Sequence, residues 1–292
     1  MVDRPFVASP GIFASKIPHL LLALGMHLIT LTTDFGTSDW FVGTMKGVML
    51  GINPRARIVD VTHGVPAGDI RAGAFALAAG CKFFAKGTVH VAVVDPGVGS
   101  EREAIAIETE RYFFVGPDNG VLSWALRSER IREVRALKNE KYFLPEVSKT
   151  FHGRDIFAPV AAHLSRGAAI EKLGPSKREF VRLDWPEPRT KGRGMEGEVI
   201  YIDRFGNAIT NLGADVLNSF GGRRLEVFAK GKRQCSVEDC YAAVHPGKPV
   251  AVLGSSGFLE IAVNQGSAGR KLGLIPGTKV SVVSRAAVFC HI

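Results

Sequence analysis

Asp95 and Arg102 are the residues whose types and spacing point most directly to chemistry. They bracket the loop of VAVVDPGVGSER (Val91–Arg102), seven positions apart, with Pro96, Gly97 and Gly99 between them. So short a loop can fold a guanidinium back beside a carboxylate. Such a pair can hold a hydroxide-like oxygen while an acid group or an imidazole takes its proton. Asp34, Asp118, Asn119, His152 and Asp155 share the same kind of position, just after an apolar run or at the start of a helical pattern. Each also has a plain structural reading. Asp34 can bond its own turn, Asn119 can hold a left-handed turn, Asp155 can cap a helix and His152 can be a satisfied structural histidine. The Asp95 segment itself can be no more than an Asp-Pro turn with an unrelated surface arginine.

What favours a site is the set of elements that must carry these residues. Val91–Val94 is continuously apolar, the pattern of a central parallel strand buried on both faces. Around it the sequence predicts strands at His27–Thr33, Arg57–Thr62 and Thr88–Val94. It predicts helices from near Asp39, capped by Thr37, Ser38 or Asp39, and from Asp69 to about Phe84. Strand, helix, strand, helix, strand at this spacing is a βαβ progression and implies a mainly parallel sheet. Parallel strands deliver their carboxyl ends to one edge, where open α/β sheets place ligands. Further strands are predicted at Ala104–Glu108 and Tyr112–Val115, and a helix from about Asp155 to Ser165. Pro, Gly and charge gather at Leu183–Gly194 without an apolar period, which marks a linker. Beyond it come short strands with Gly turns: Glu196–Asp203, Ala208–Leu212, Leu225–Phe228, Pro249–Leu253, Phe258–Val263 and Lys279–Val283. That texture suggests a small barrel or sandwich.

The chain of 292 residues is 46% hydrophobic and 22% charged, ordinary for a globular protein with ample core. A net charge of +9 suits an anionic partner. The basic residues are nonetheless dispersed, dense only at Arg127–Lys141 and Lys177–Arg193, with no interleaved aromatics, so no nucleic-acid partner is expected. Cys81, Cys235, Cys240 and Cys290 show neither CxxC spacing nor a disulfide layout, which fits a reduced, cytoplasmic setting. No apolar run is long enough for a bilayer, so no membrane association is expected. Residues 1–26 read as an uncertain extension, a poor match to a signal peptide for want of a small-residue cleavage site, with Met26 as the natural start. HExxH, the dinucleotide and Walker glycine patterns and GxSxG are all absent, so no metal and no cofactor are expected and a serine hydrolase is disfavoured.

The segments TTDFGTSDWFVGTMKG, INPRARIVDVTH, GTVHVAVVDPGVGSER, VGPDNGVL, TFHGRDIFAP, YIDRFGNAITNL and SSGFLEIAVNQG run in this order from about His27 to Val283. In them the sequence resembles the S-adenosyl-L-methionine hydrolases, or hydroxide adenosyltransferases, relatives of the fluorinase and chlorinase enzymes. The resemblance implies an α/β fold: an N-terminal Rossmann-like, mainly parallel sheet domain (27–182), a linker (183–195) and a smaller C-terminal β-barrel domain (196–292). It implies a homotrimer, with each site lying between one subunit's first domain and its neighbour's second. Asp95, Arg102 and His152 match the triad that handles water. Asp34 matches the carboxylate on the ribose hydroxyls. Asp39, Asp203 and Ser255 match positions around the methionine part, and Asn207 matches an adenine contact. Asn119 and Phe258 complete the expected substrate-binding set.

The chemistry agrees with that assignment. A sulfonium and an ammonium call for carboxylates such as Asp39 and Asp203, and a vicinal diol suits Asp34. A sulfonium leaves without protonation, so an aligned oxygen nucleophile and a dry site suffice. The expected reaction is attack of water on the ribose 5′ carbon of S-adenosyl-L-methionine, giving adenosine and methionine. The alternatives are a halogenase using chloride and a non-catalytic nucleoside-binding protein. Gly153, where the halogenases carry a halide-binding serine, and Asp95, which repels halide, argue against the first. Ser256, in place of a fluorinase-like arginine, fits the hydrolase branch. Gly68 replaces an aromatic residue that in the family packs the substrate, and removes that wall.

Overall fold

The computed structural model describes residues 28–222 and 224–284; His27, the extension 1–26 and Cys290 lie outside the described residues. The first half folds around six strands: β1 (Leu28–Thr33), β2 (Arg57–Thr62), β3 (Val89–Val93), β4 (Ala104–Thr109), β5 (Phe113–Pro117) and β6 (Ile131–Ala136). Their order is β2-β1-β3-β5-β4-β6. β2, β1, β3 and β5 are mutually parallel, and β4 runs antiparallel to both β5 and β6. The sheet is therefore mixed, with a parallel core and an antiparallel flank.

Every residue of β3 is buried. The alternation of a strand sends Val91 and Val93 to one face and Ala92 and Val94 to the other. On the first face they meet α1 (Phe41–Ile52) and α3 (Ala158–Ser165) through Val42, Met45, Met49, Ala158 and Ala161. On the second they meet α2 (Ile70–Cys81) through Leu77 and Cys81. Helices on both faces explain why Val91–Val94 carries no polar residue.

Two helix starts differ from expectation. α1 begins after Trp40 with no side-chain cap, so none of Thr37, Ser38 and Asp39 performs that role. α3 is preceded by one π-helical turn, Gly153–Phe157, inside which Asp155 lies. Asp155 is wholly buried, pairs with Arg154 and accepts the Ser148 amide at 2.8 Å, which ties down the loop leading to His152. Asp69, by contrast, does cap α2, accepting the Ala72 amide at 2.9 Å.

The second half is an antiparallel sheet in the order β11-β10-β14-β8-β9-β13-β12. Its strands are β8 (Gly194–Ile202), β9 (Ala208–Gly213), β10 (Leu225–Ala229), β11 (Lys232–Ser236), β12 (Pro249–Leu253), β13 (Phe258–Val263) and β14 (Lys279–Ser284). A bridge between Val237 and Ala251 nearly closes it into a barrel around Val199, Leu212, Val227, Ile261 and Val282. The stretch between the halves is held in place. Arg189–Lys191 (β7) pairs with β8, and Trp185 packs edge-on against Trp124 at 5.0 Å and tilted against Phe258 at 5.5 Å. Phe75 of α2 meets Tyr201 of β8 at 5.0 Å, joining the two cores.

Asp118 has a structural duty at this junction. It is buried, accepts the Val181 amide at 2.7 Å and lies 3.2 Å from Lys177 Nζ. Asp118→Ala leaves the buried Val181 amide without its acceptor, while Lys177 keeps Glu103 at 2.7 Å, and is expected to cost about 1–3 kcal/mol of stability. A lowered urea midpoint at unchanged slope checks this, and an unchanged midpoint would contradict it.

Candidate active site

The parallel core decides what comes together. Asp34 follows the last residue of β1, Asp95 follows β3 by two positions and Asn119 follows β5 by two, and these strands are neighbours in the sheet. The Asp95–Arg102 loop is built by its own backbone: Val98 donates to the Asp95 carbonyl at 3.1 Å and Ser100 to that of Gly97 at 3.1 Å. Gly99 adopts φ +77°, and a β-carbon there would stand 2.1 Å from the Lys149 carbonyl oxygen. Only glycine lets this loop close on the segment that leads to His152.

Within that enclosure Arg102 Nε donates to Asp95 Oδ1 at 3.0 Å, and Nη2 donates to Oδ2, a two-pronged pairing. The side chains of Asp95 and Arg102 are 5% and 11% exposed, so the pair is shielded from water and its charges are strongly coupled. Arg102 Nη2 also lies 2.8 Å from His152 Nδ1. Arginine has no acceptor, so Nδ1 must accept and the neutral ring carries its proton on Nε2. Burial first, and the Arg102 cation second, hold the His152 pKa below its usual value. Phe157, wholly buried, lies under the guanidinium at 5.5 Å. With Nδ1 occupied, the carboxylate of Asp95 is the group placed to take a proton, and His152 is placed to donate from Nε2.

The half-buried Asp34 accepts the Gly68 amide through Oδ2 at 2.8 Å. Asn119 donates to the Val94 carbonyl at 2.9 Å and accepts the Val121 amide at 3.1 Å, locking the β5 turn against the end of β3. Phe35, Phe41 and Phe151 form a cluster of rings 5.2–5.9 Å apart beside these groups, which sequence reasoning did not single out. Asp39 stands apart, exposed, with Ser38 Oγ at 3.5 Å.

The barrel carries a second set. Asp203 accepts the Asn207 backbone amide at 2.8 Å and its side-chain Nδ2 at 3.0 Å, so this pair braces its own turn. Ser255 is exposed, and Phe258 is half-buried between Phe75 and Trp185. Sequence reasoning also missed Glu260 beside Asp203. It accepts the Tyr241 hydroxyl at 2.7 Å, and burial, with the nearby Asp203 charge adding to it, outweighs that bond and pushes its pKa up. Among the described residues no hydrogen bond or ion pair joins the barrel set to the sheet-edge set. Ser256, next to Ser255, meets Lys82 at the carboxyl end of α2, whereas Asp34 sits at its amino end. A helix of 12 residues separates the two ends by about 18 Å.

Two models of one family match the chain in order. The N-terminal domain of the SAM hydroxide adenosyltransferases covers residues 29–174, and the C-terminal domain of the same family covers 197–281. The chain belongs to the SAM hydroxide adenosyltransferase family. A protein of Salinispora tropica named (R)-S-adenosyl-L-methionine hydrolase is 40% identical, spanning 88% of this chain and 97% of its own length. The protein of that name from Thermus thermophilus is 41% identical, over 88% of this chain and all of its own. A fluorinase of Actinoplanes sp. is more distant, at 28% over 89% and 98%. The crystal structure of an uncharacterized conserved protein from Thermotoga maritima superposes with a TM-score of 0.83 at 35% identity, covering 88% of this chain and 99% of that one.

In this family member the state of His152 is tied to Arg102. The ring is expected to titrate below 6.5 by NMR, and Arg102→Met, which removes the neighbouring cation, is expected to raise that midpoint. An unmoved midpoint would mean that Arg102 does not set the charge state of the ring.

Proposed function

We propose that this chain hydrolyses S-adenosyl-L-methionine to adenosine and L-methionine. The observation that carries the reading is the Asp95–Arg102–His152 cluster, shielded and placed at the strand end next to that of Asp34. The names of the relatives at about 40% identity support the substrate, and they specify the (R) sulfonium epimer.

Asp34 grips the ribose diol, which aims the 5′ carbon at the cluster. Arg102 has spent Nε and Nη2 on Asp95 and His152, and the two N–H groups of Nη1 hold the attacking oxygen. Water attacks the 5′ carbon in line with the departing sulfur. The new C–O bond forms as the C–S bond breaks, and the bonding pair stays on sulfur as the methionine thioether. The water proton passes to Asp95 and then to solvent. Asp39, Asp203 and Ser255 receive the methionine part, Asn207 the adenine, with Phe258 behind them and Asn119 holding the floor. A β-carbon at Gly153 would stand 3.1 Å from the Phe151 ring, which leaves little room for a halide-binding serine.

The working unit is a homotrimer in a reducing, cytoplasmic setting. The separation of Ser255 from Asp34 by the length of α2 supports a site that each barrel completes for a neighbouring subunit, not for its own chain. Cys81, Cys235 and Cys240 are free thiols, in keeping with that setting. The parts are the Rossmann-like α/β domain of 27–182, the connection of 183–195 and the barrel domain from 196 onward.

Turnover of the (R) epimer in ¹⁸O water is expected to place the label in the adenosine 5′ hydroxyl. A 5′-chloro product in chloride would point to a halogenase, and no turnover to a binding protein. Asp95→Ala is expected to lower kcat by about 10²–10⁴ while binding survives, and wild-type turnover in this variant would exclude the triad. For the shared site, co-assembly of Asp95→Ala chains with Asp203→Ala chains is expected to restore activity that neither has alone. A fully active monomer by light scattering would overturn it.

A further inference from the structure

The DVTH segment ends β2, and no role has been given to its histidine. His63 is buried, with its side chain 4% exposed. Nδ1 lies 2.8 Å from Thr33 Oγ1, and Nε2 lies 3.0 Å from Asp60 Oδ1 in a short but bent contact. Lys46 Nζ donates to the other Asp60 oxygen at 2.6 Å. Burial pushes the Asp60 carboxyl up, but the Lys46 bond and the close His63 ring outweigh it and hold the group below the usual range. A charged carboxylate beside Nε2 favours the ring proton there, which makes Nδ1 the acceptor of the Thr33 hydroxyl proton. The Thr33 oxygen is then free to accept, and it takes the Phe35 amide at 3.3 Å. The His63 carbonyl in turn accepts the Gly36 amide at 2.8 Å. Asp34 lies between these fixed points.

Asp60, His63 and Thr33 look at first like a relay that arms a nucleophile. Thr33 is wholly buried inside the sheet, however, and no substrate carbon can reach its hydroxyl.

We propose that His63 is a positioning residue for Asp34: through the Thr33 hydroxyl it fixes the turn that aims the Asp34 carboxylate at the ribose diol of the substrate. The proposal rests on the ribose role given to Asp34 above. It makes the end of β2 a working part of the site, although His63 touches no substrate.

Asparagine and glutamine separate the two ring contacts. The amide of His63→Asn reaches about as far as Nδ1 and keeps the Thr33 bond. That of His63→Gln reaches about as far as Nε2 and loses it. Hydrogen exchange at the Phe35 and Gly36 amides is expected to rise about tenfold in His63→Gln and in Thr33→Val, and to stay near wild type in His63→Asn and Thr33→Ser. Adenosine affinity by calorimetry is expected to follow the same order, weakening about tenfold in the first two, while methionine affinity does not move. A merely structural histidine would lower Tm in both His63 variants and exchange their amides alike. That outcome, or unchanged Phe35 exchange in His63→Gln, overturns the proposal. If the exchange pattern appears but the wild type binds no adenosine, His63 still positions Asp34 and the ribose role is what fails.

Discussion

A carboxylate and a guanidinium held out of water against each other are the constraint on which this molecule turns. Removing either charge from solvent costs several kcal/mol, and the attraction between them offsets that only with good geometry and further polar contacts. Asp95 and Arg102 meet those terms. Both carboxylate oxygens are engaged, His152 accepts a further N–H from the guanidinium, and Phe157 lies beneath it. The result is a carboxylate bonded through both oxygens in a place where water is scarce. Groups fixed in this way need little rearrangement around them when charge changes nearby.

The fold can be understood as the scaffold for that pair. Three adjacent parallel strands end at the same level, so Asp34, Asp95 and Asn119 converge without any long-range coding beyond strand order. Val91–Val94 can be uniformly apolar because helices cover β3 on both sides, and Asp95 comes where that run stops; His90, earlier in the strand, is buried against Thr30 at 2.7 Å. The same logic places His63 at the end of β2. Four strand-ends thus supply the polar groups of one edge, and the hydrophobic interior behind them fixes their spacing.

This explains what could be read in advance. The run Val91–Val94 followed by Asp95 signals a buried strand and the carboxylate at its end in consecutive letters, so the strand and the return of Arg102 to Asp95 were legible. β6, Ile-Arg-Glu-Val-Arg-Ala, was not. It is an edge strand whose outward residues are charged, and its period was masked by the basic density around it. The cap of α1 was misplaced because three capping residue types stand in a row, while the turn of Asp34 and Phe35 sets where the helix enters. The π turn before α3 leaves no composition signal, since Gly153–Phe157 continues an ordinary helical pattern. Extending the rule of polar residues at strand ends to β2 would have found His63. Nothing local signals Glu260, because its partners Tyr241 and Asp203 come from other turns of the barrel.

Gly68 shows how a lost side chain can be exchanged for a backbone bond. From sequence its presence removes an aromatic wall. In the structure the residue takes φ +71°, which side chains rarely adopt, and it turns its amide toward Asp34 Oδ2. A β-carbon there would lie 3.7 Å from the β-carbon of Pro96, the residue after Asp95. One position therefore touches both carboxylate loops, bonding the first and packing beside the second. An aromatic ring would add a surface for the substrate, but it would have to bear the strain of that backbone or release Asp34. The loop from β2 thus governs Asp34 from two sides, by His63 through Thr33 and by Gly68 directly. The aim of that carboxylate follows from the geometry of a segment that carries no reactive group of its own.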